Sequence, residues 1–196
     1  MLTNNYYAYK KLMFSGDSSY NGTHIETIYI YPVTGTRLGS NGSSTRVNPA
    51  NATKGDLGYW LNKARCGTFP TSSMASDTDA SFGVYFGTGT TPATLADIKM
   101  GSPIESGLTI TNPTRYVFSD NGTGKWTYSA SYVLTNTTAE DLHIYEIGIV
   151  TPIGANSQYF PTLMEHTVLT EPITVPAGGA KLVTLTLTQN NVLNVE

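Results

Sequence analysis

The sequence is short of charge, of cysteine and of long apolar runs, and each shortage closes a class of function. Only 13% of its 196 residues are Asp, Glu, Lys or Arg, against about 25% in an average globular chain. The 11 basic and 14 acidic residues leave a net charge of −3, and no basic cluster exceeds Lys10-Lys11. Neutralised phosphates supply most non-specific nucleic-acid affinity, so nucleic acid is not an expected partner. A single cysteine, Cys66, excludes an intrachain disulfide framework and a multi-cysteine zinc site. No apolar stretch approaches the roughly 20 residues of a membrane helix. The opening Met1-Leu2-Thr3-Asn4-Asn5-Tyr6-Tyr7 has neither the basic region nor the apolar core of a signal peptide. The expectation is a chain made in a cytoplasm, with no membrane partner.

What the chain has instead is 30 Thr, 19 Gly, 16 Ser, 14 Asn and 13 Tyr, with hydrophobic residues at 39%. A chain of this length forms one domain and buries roughly 70% of the surface its unfolded form would expose. The pattern is one of strands. Trp126, Tyr128, Ala130, Tyr132 and Leu134 alternate with Lys125, Thr127, Ser129, Ser131 and Thr135, and only Val133 breaks the polar face. Period-two alternation of this kind belongs to a half-buried antiparallel strand. Asp120-Asn121-Gly122 ahead of it suits a tight turn with positive φ, pairing Thr114–Ser119 with Lys125–Thr135.

Ile25–Tyr31, Phe82–Phe86 and Leu142–Val150 read as further strands, the last apolar enough for burial on both faces. Ile173-Thr174-Val175, the turn Pro176-Ala177-Gly178-Gly179 and Leu182–Thr188 read as a second hairpin, with Val183, Leu185 and Leu187 inward. Pro92 after Thr91 suggests one helical turn over 91–97. The expected fold class is all-β, an antiparallel β-sandwich or jelly roll with long irregular loops and a short N-terminal helix or arm. Residues 1–20 form that helix or arm, and 21–196 a single sandwich domain with an irregular insertion around 34–75.

Chemistry-bearing residues are scattered. His24, His143 and His166 have no metal-ligand spacing, and Asp77-Thr78-Asp79 and Asp120-Asn121-Gly122 do not complete a calcium loop, since Ser131 stands where its final Glu belongs. Gly87-Thr88-Gly89-Thr90-Thr91-Pro92 lacks the third glycine of a dinucleotide loop and the Gly-Lys-Ser/Thr of a phosphate loop. Cys66 follows Arg65 but has no nucleophile-like context, and Ser40 misses the Gly-x-Ser-x-Gly elbow. Glu140, Asp141, Glu146, Glu165 and Glu171 form no sequence-evident acid pair. No catalytic residue, metal or cofactor is therefore assigned. The residues assigned to an interface are Tyr6, Tyr7, Tyr9, Leu12, Met13 and Phe14, which crowd large apolar and aromatic groups into one terminal segment.

Three segments together carry a resemblance. They are Phe82–Pro92 through Ser102-Pro103-Ile104, Tyr132–Thr137 through Ile144–Ile149, and His166–Gly179. Their order resembles β-rich virion proteins of tailed bacteriophages, especially those of gut-type communities, over about residues 80 to 188. The resemblance implies a sandwich-type, non-enzymatic virion component of the head, neck or tail, present in many copies in the particle. Copies of itself and other virion proteins are the implied partners. The rival readings are a carbohydrate-binding adhesin module of a phage tail, which would contact host surface glycan and has Trp60 and Trp126 as its hint, and a polysaccharide-degrading enzyme.

Overall fold

The structure is a computed structural model that describes residues 1–15, 29–30, 38–39, 57–60, 63–67, 69–70, 81–111, 116–120, 125–155 and 158–190. Helix α1 (Asn4–Ser15) opens the chain, followed by the short elements β1 (Tyr29–Ile30), β2 (Leu38–Gly39), α2 (Leu57–Trp60) and β3 (Ala64–Arg65). The longer strands are β4 (Gly83–Gly87), β5 (Leu108–Thr111), β6 (Tyr116–Asp120), β7 (Lys125–Asn136), β8 (Leu142–Ala155), β9 (Gln158–Val175) and β10 (Ala180–Asn190). Two four-stranded sheets pack as a sandwich: one has the order β3-β4-β8-β9, and the other has β10-β7-β5 with β6 also on β7. The expected all-β sandwich is therefore the fold. One detail departs from an all-antiparallel arrangement, because β3 runs parallel to β4 with Ala64 opposite Val84.

The alternation in β7 decides which way that sheet faces. Ala130, Tyr132 and Leu134 are buried, and the Phe86 ring of β4 meets Tyr132 edge-on at 6.2 Å between centroids. On the opposite face Ser129 and Ser131 hydrogen-bond the hydroxyls of Thr186 and Thr184 on β10, at 2.9 and 2.7 Å. Val133, the exception in the pattern, lies opposite Leu182 of β10, and both stay exposed at 39% and 67%. β6 and β7 pair as expected, with Asp120 opposite Trp126, while the turn containing Gly122 lies outside the described residues. The same is true of most of the 34–75 insertion.

The second expected hairpin is not one. The tight turn at Pro176–Gly179 is present, closed by Gly179 N–H on Pro176 C=O at 2.9 Å with Gly178 at φ 62°. That positive φ at the third turn position fits a type II turn, which favours glycine or asparagine there. The strands it joins nevertheless lie in different sheets, β9 on β8 and β10 on β7. Each has a long partner that matches its apolar face, so the turn crosses between layers. Likewise, residues 91–97 form no helical turn. Asp97 N–H donates to Thr94 C=O, and both Asp97 carboxylate oxygens accept from Thr94, which fixes a β-turn instead.

The N-terminus lies along β9. Thr3 N–H donates to Met164 C=O at 3.0 Å, and His166 N–H to Met1 C=O at 2.9 Å. Helix α1 then buries Tyr6 and Tyr9 in the common core. No helix among the described residues is long and apolar enough to cross a membrane.

Candidate functional site

β8 is an inner strand of its sheet, between β4 and β9, and its Ile144, Ile147, Ile149 and Val150 are buried, as the apolar run predicts. Glu146 stands among them at 1% exposure. A carboxylate removed from water is costly unless it is paired and hydrogen-bonded. Here it is both. Its Oε1 accepts the Gly101 N–H at 2.5 Å and a bond from His166 Nε2 at 2.8 Å, and its Oε2 accepts the Ser102 N–H at 2.9 Å.

The space for this carboxylate is made by glycine. A Cβ on Gly87, directly opposite Glu146 on β4, would lie 2.5 Å from Oε2, and one on Gly89 would lie 2.7 Å from it. Gly148, two residue pairs along, makes room for Met100 instead: a Cβ there would meet the Met100 sulfur at 2.7 Å. The segment that leaves β4 therefore folds flat across this face. It returns with Ile104 N–H on Phe86 C=O and Thr88 N–H on Ser102 C=O, at 2.9 and 2.8 Å.

His166 of β9 sits opposite Gly148, on the same face as Glu146. It is 4% exposed, and its second ring nitrogen, Nδ1, reaches Asp97 Oδ2 at 2.5 Å. Asp97 is in turn held by Thr94, whose N–H and hydroxyl donate to it at 2.8 and 2.6 Å. An ionised carboxylate only accepts hydrogen bonds, so an imidazole between two of them carries a proton on each nitrogen. The cluster is an imidazolium between two carboxylates.

Electrostatics agree with the geometry. Burial alone would lower the His166 pKa, but hydrogen bonds to Glu146 and then Asp97, together with their charges, carry it above its ordinary value. Burial alone would raise Glu146, yet His166 and the Gly101 and Ser102 amides bring it below the usual carboxylate range. Asp97 is lowered in the same way, against burial, by Thr94 and then His166.

A cavity of about 340 Å³ opens beside the cluster, lined by Thr88, Thr91, Lys99 and Ser102 among others. Such a volume is at the small end for ligand sites. The histidine beside it has no lone pair to take a proton from a nucleophile or to bind a metal, because both nitrogens already donate to carboxylates. Nothing in the cluster activates the Ser102 or threonine hydroxyls.

A second polar knot joins the two sheets at the end of β7. Asn136 is buried, donates to Glu140 C=O at 2.7 Å and Val175 C=O at 3.1 Å, and accepts both the N–H and the hydroxyl of Thr138, at 2.9 and 2.8 Å. Its own N–H bonds Gly179 C=O at 2.9 Å. Every polar atom of its side chain is used inside the chain.

The other residues singled out from sequence fall elsewhere. His143 reaches Thr174 on the surface, and His24, Ser40, Asp77 and Asp79 lie outside the described residues. Asp141 accepts from Ala177 N–H, and Glu165 from the Met1 nitrogen, while Glu140 and Glu171 are exposed. The Cys66 thiol is half-buried against Ile104 C=O at 3.5 Å, and burial pushes its pKa up despite hydrogen bonds from Leu108 and Gly67, the reverse of activation by Arg65. Trp60 is buried edge-on against Phe82, so it offers no exposed ring for a sugar, and the Trp126 side chain is outside the description. Of the six assigned interface residues, Tyr6 and Tyr9 are covered by their own chain and Tyr7 is 55% exposed. The side chains of Leu12, Met13 and Phe14 are outside the description.

Asp97 entered no candidate set, and Glu146 and His166 entered as unconnected members of two. One local signal was available: a lone Glu inside an apolar strand that should be buried on both faces needs a cation. Comparison of the chain with protein families, curated proteins and solved structures found no match.

Proposed function

We propose that this chain is a non-enzymatic structural subunit of a tailed-bacteriophage virion, present in many copies and joined through its own surfaces to itself and to other virion proteins. The observation that carries the reading is where the three resembling segments meet. Gly87, Gly89, Ser102, Glu146 and His166 come from all three and meet at one buried ion cluster. Asn136, Val175 and Gly179 come from two of them and meet at the other knot. In both places the polar atoms fasten loops to sheets, which supports reading them as parts of a framework. A surface poor in charge and rich in neutral hydroxyls suits permanent contacts, whose cores are depleted in charged residues.

Quantitative mass spectrometry of purified particles from a host carrying this gene tests the proposal. A structural subunit appears in every particle at many copies, in fixed ratio to the other shell or tail proteins. A protein found only in the soluble lysate would reject it.

A further inference from the structure

The edges of the two sheets are protected unequally. β9 is long, but Met1–Thr3 pairs along it at Met164–His166, Pro172 interrupts its donors, and its ladder with β8 shifts register twice. β3 is two residues long and β5 four. Short strands, prolines, bulges and covering segments are how sheet edges are kept from pairing with other chains. Among the described residues, β10 has none of these. It runs 11 residues without proline, glycine or register shift, carries Lys181 as its one charge, and among the described residues pairs only with β7. At about 3.4 Å per residue that is an open edge of roughly 37 Å.

We infer that β10 pairs antiparallel with β10 of a second copy about a two-fold axis at Leu185, joining the two β10-β7-β5 sheets into one. This rests on the many-copy reading above and names the surface that reading needs. A two-fold contact must be self-complementary, and the sequence Ala180–Asn190 is. With the axis at Leu185, Leu185 faces its copy, Val183 faces Leu187, Thr184 faces Thr186 and Leu182 faces Thr188. The inward face stays apolar, since Val183 is buried and Leu185 and Leu187 pack against the core. The outward face continues the hydroxyl ladder already made by Ser129 with Thr186 and Ser131 with Thr184. Lys181 faces the uncharged Gln189, so no like charges meet.

Other registers do worse. Moving the axis by half a residue sets inward residues against outward ones. Moving it by a whole residue leaves strand ends unpaired and puts Lys181 or Gln189 opposite an inward apolar residue. The exposed Leu182, beside the exposed Val133, gains cover from the partner's Thr188 end.

The experiment compares the full wild-type chain with two doubles by sedimentation velocity. Positions 184 and 186 are exposed and opposite each other across the axis. T184K/T186K sets lysine against lysine twice, whereas T184K/T186E sets lysine against glutamate twice. The wild type should dimerise, the lysine double should be a folded monomer of near-normal melting temperature, and the charge-paired double should bind about tenfold or more tightly than the lysine double. Equal self-association of the two doubles would overturn the edge assignment while leaving a many-copy subunit in place. A wild type still monomeric at roughly 100 μM, a concentration that reveals even weak contacts, would overturn it too, whatever its copy number in particles.

Discussion

Glu146→Gln is the sharpest probe of how the sandwich is locked. The substitution keeps size and shape at a position that is 1% exposed. The amide oxygen can still accept from His166 and from Gly101, which both address Oε1. The new NH2 group then points at the Ser102 N–H, which now donates to Oε2 at 2.9 Å. Two donors then face each other at a buried position, and the imidazolium loses one of its two counter-charges. Breaking a buried ion pair on one side costs about 3–5 kcal/mol. For a domain of this size each kcal/mol moves the melting temperature by roughly 2–4 °C, so the fall should be about 6–20 °C. Calorimetry near pH 6 measures it. The reasoning also requires coupling. Glu146→Gln combined with His166→Gln should cost at least ~1 kcal/mol less than the sum of the singles, because the second change removes the charge that the first leaves stranded. A fall of under about 2 °C, or strict additivity, would refute the lock.

The remaining expectations concern pH, an idle hydroxyl and a turn. Asp97 and Glu146 are lowered and His166 is raised, so the cluster stabilises most between the ordinary carboxylate values of 3.8 and 4.5 and the ordinary histidine value of 6.5. Stability should decline above pH 6.5 by up to about 1.4 kcal/mol per pH unit while the folded state alone keeps the His166 proton, and fall again as acid protonates the two carboxylates. His166→Gln should flatten the alkaline limb in urea titrations at stepped pH, and an unchanged limb would contradict the assignment. Among the described residues the buried Thr151 hydroxyl has no hydrogen-bond partner, so Thr151→Val should stabilise by about 1 kcal/mol, visible as a higher urea midpoint. A loss of stability there would mean the hydroxyl has a partner. Gly178→Val should cost about 1–2 kcal/mol from its positive φ alone, because no atom lies within 4 Å of its added Cβ. Gly178→Asn, which tolerates that region, should cost less, and equal melting temperatures for the two would remove the type II turn from the account.

Local pattern made most of the fold legible. The alternation of Tyr128 through Leu134 and of Val183 through Leu187 marks the inner faces, and the Pro176–Gly179 turn falls where its residues put it. Pairing partners were less legible, because a tight turn is compatible with both a hairpin and a crossing between sheets. Only the match of β9 to β8 and of β10 to β7 over many residues decides between them. The ion cluster was hidden for a related reason. Asp97 and His166 are 69 positions apart, and Glu146 and His166 are 20 apart, so no motif spacing ties them. What a local reading retains is the oddity of each residue alone: a Glu in an apolar strand, a His beside it in another, and glycines at 87 and 89 with no phosphate to cradle. The glycines are there because a carboxylate occupies the place of their side chains.

Nitrogen-15 NMR of the His166 side chain at pH 6.5 separates a lock from a catalytic base most directly. Both ring nitrogens should show the shifts of a protonated imidazolium, each with a proton slow to exchange, and both protons should be retained above the ordinary histidine value of 6.5. A neutral ring with one unprotonated nitrogen at that pH would contradict the account, because it would leave His166 free to act as the base that a reactive site needs.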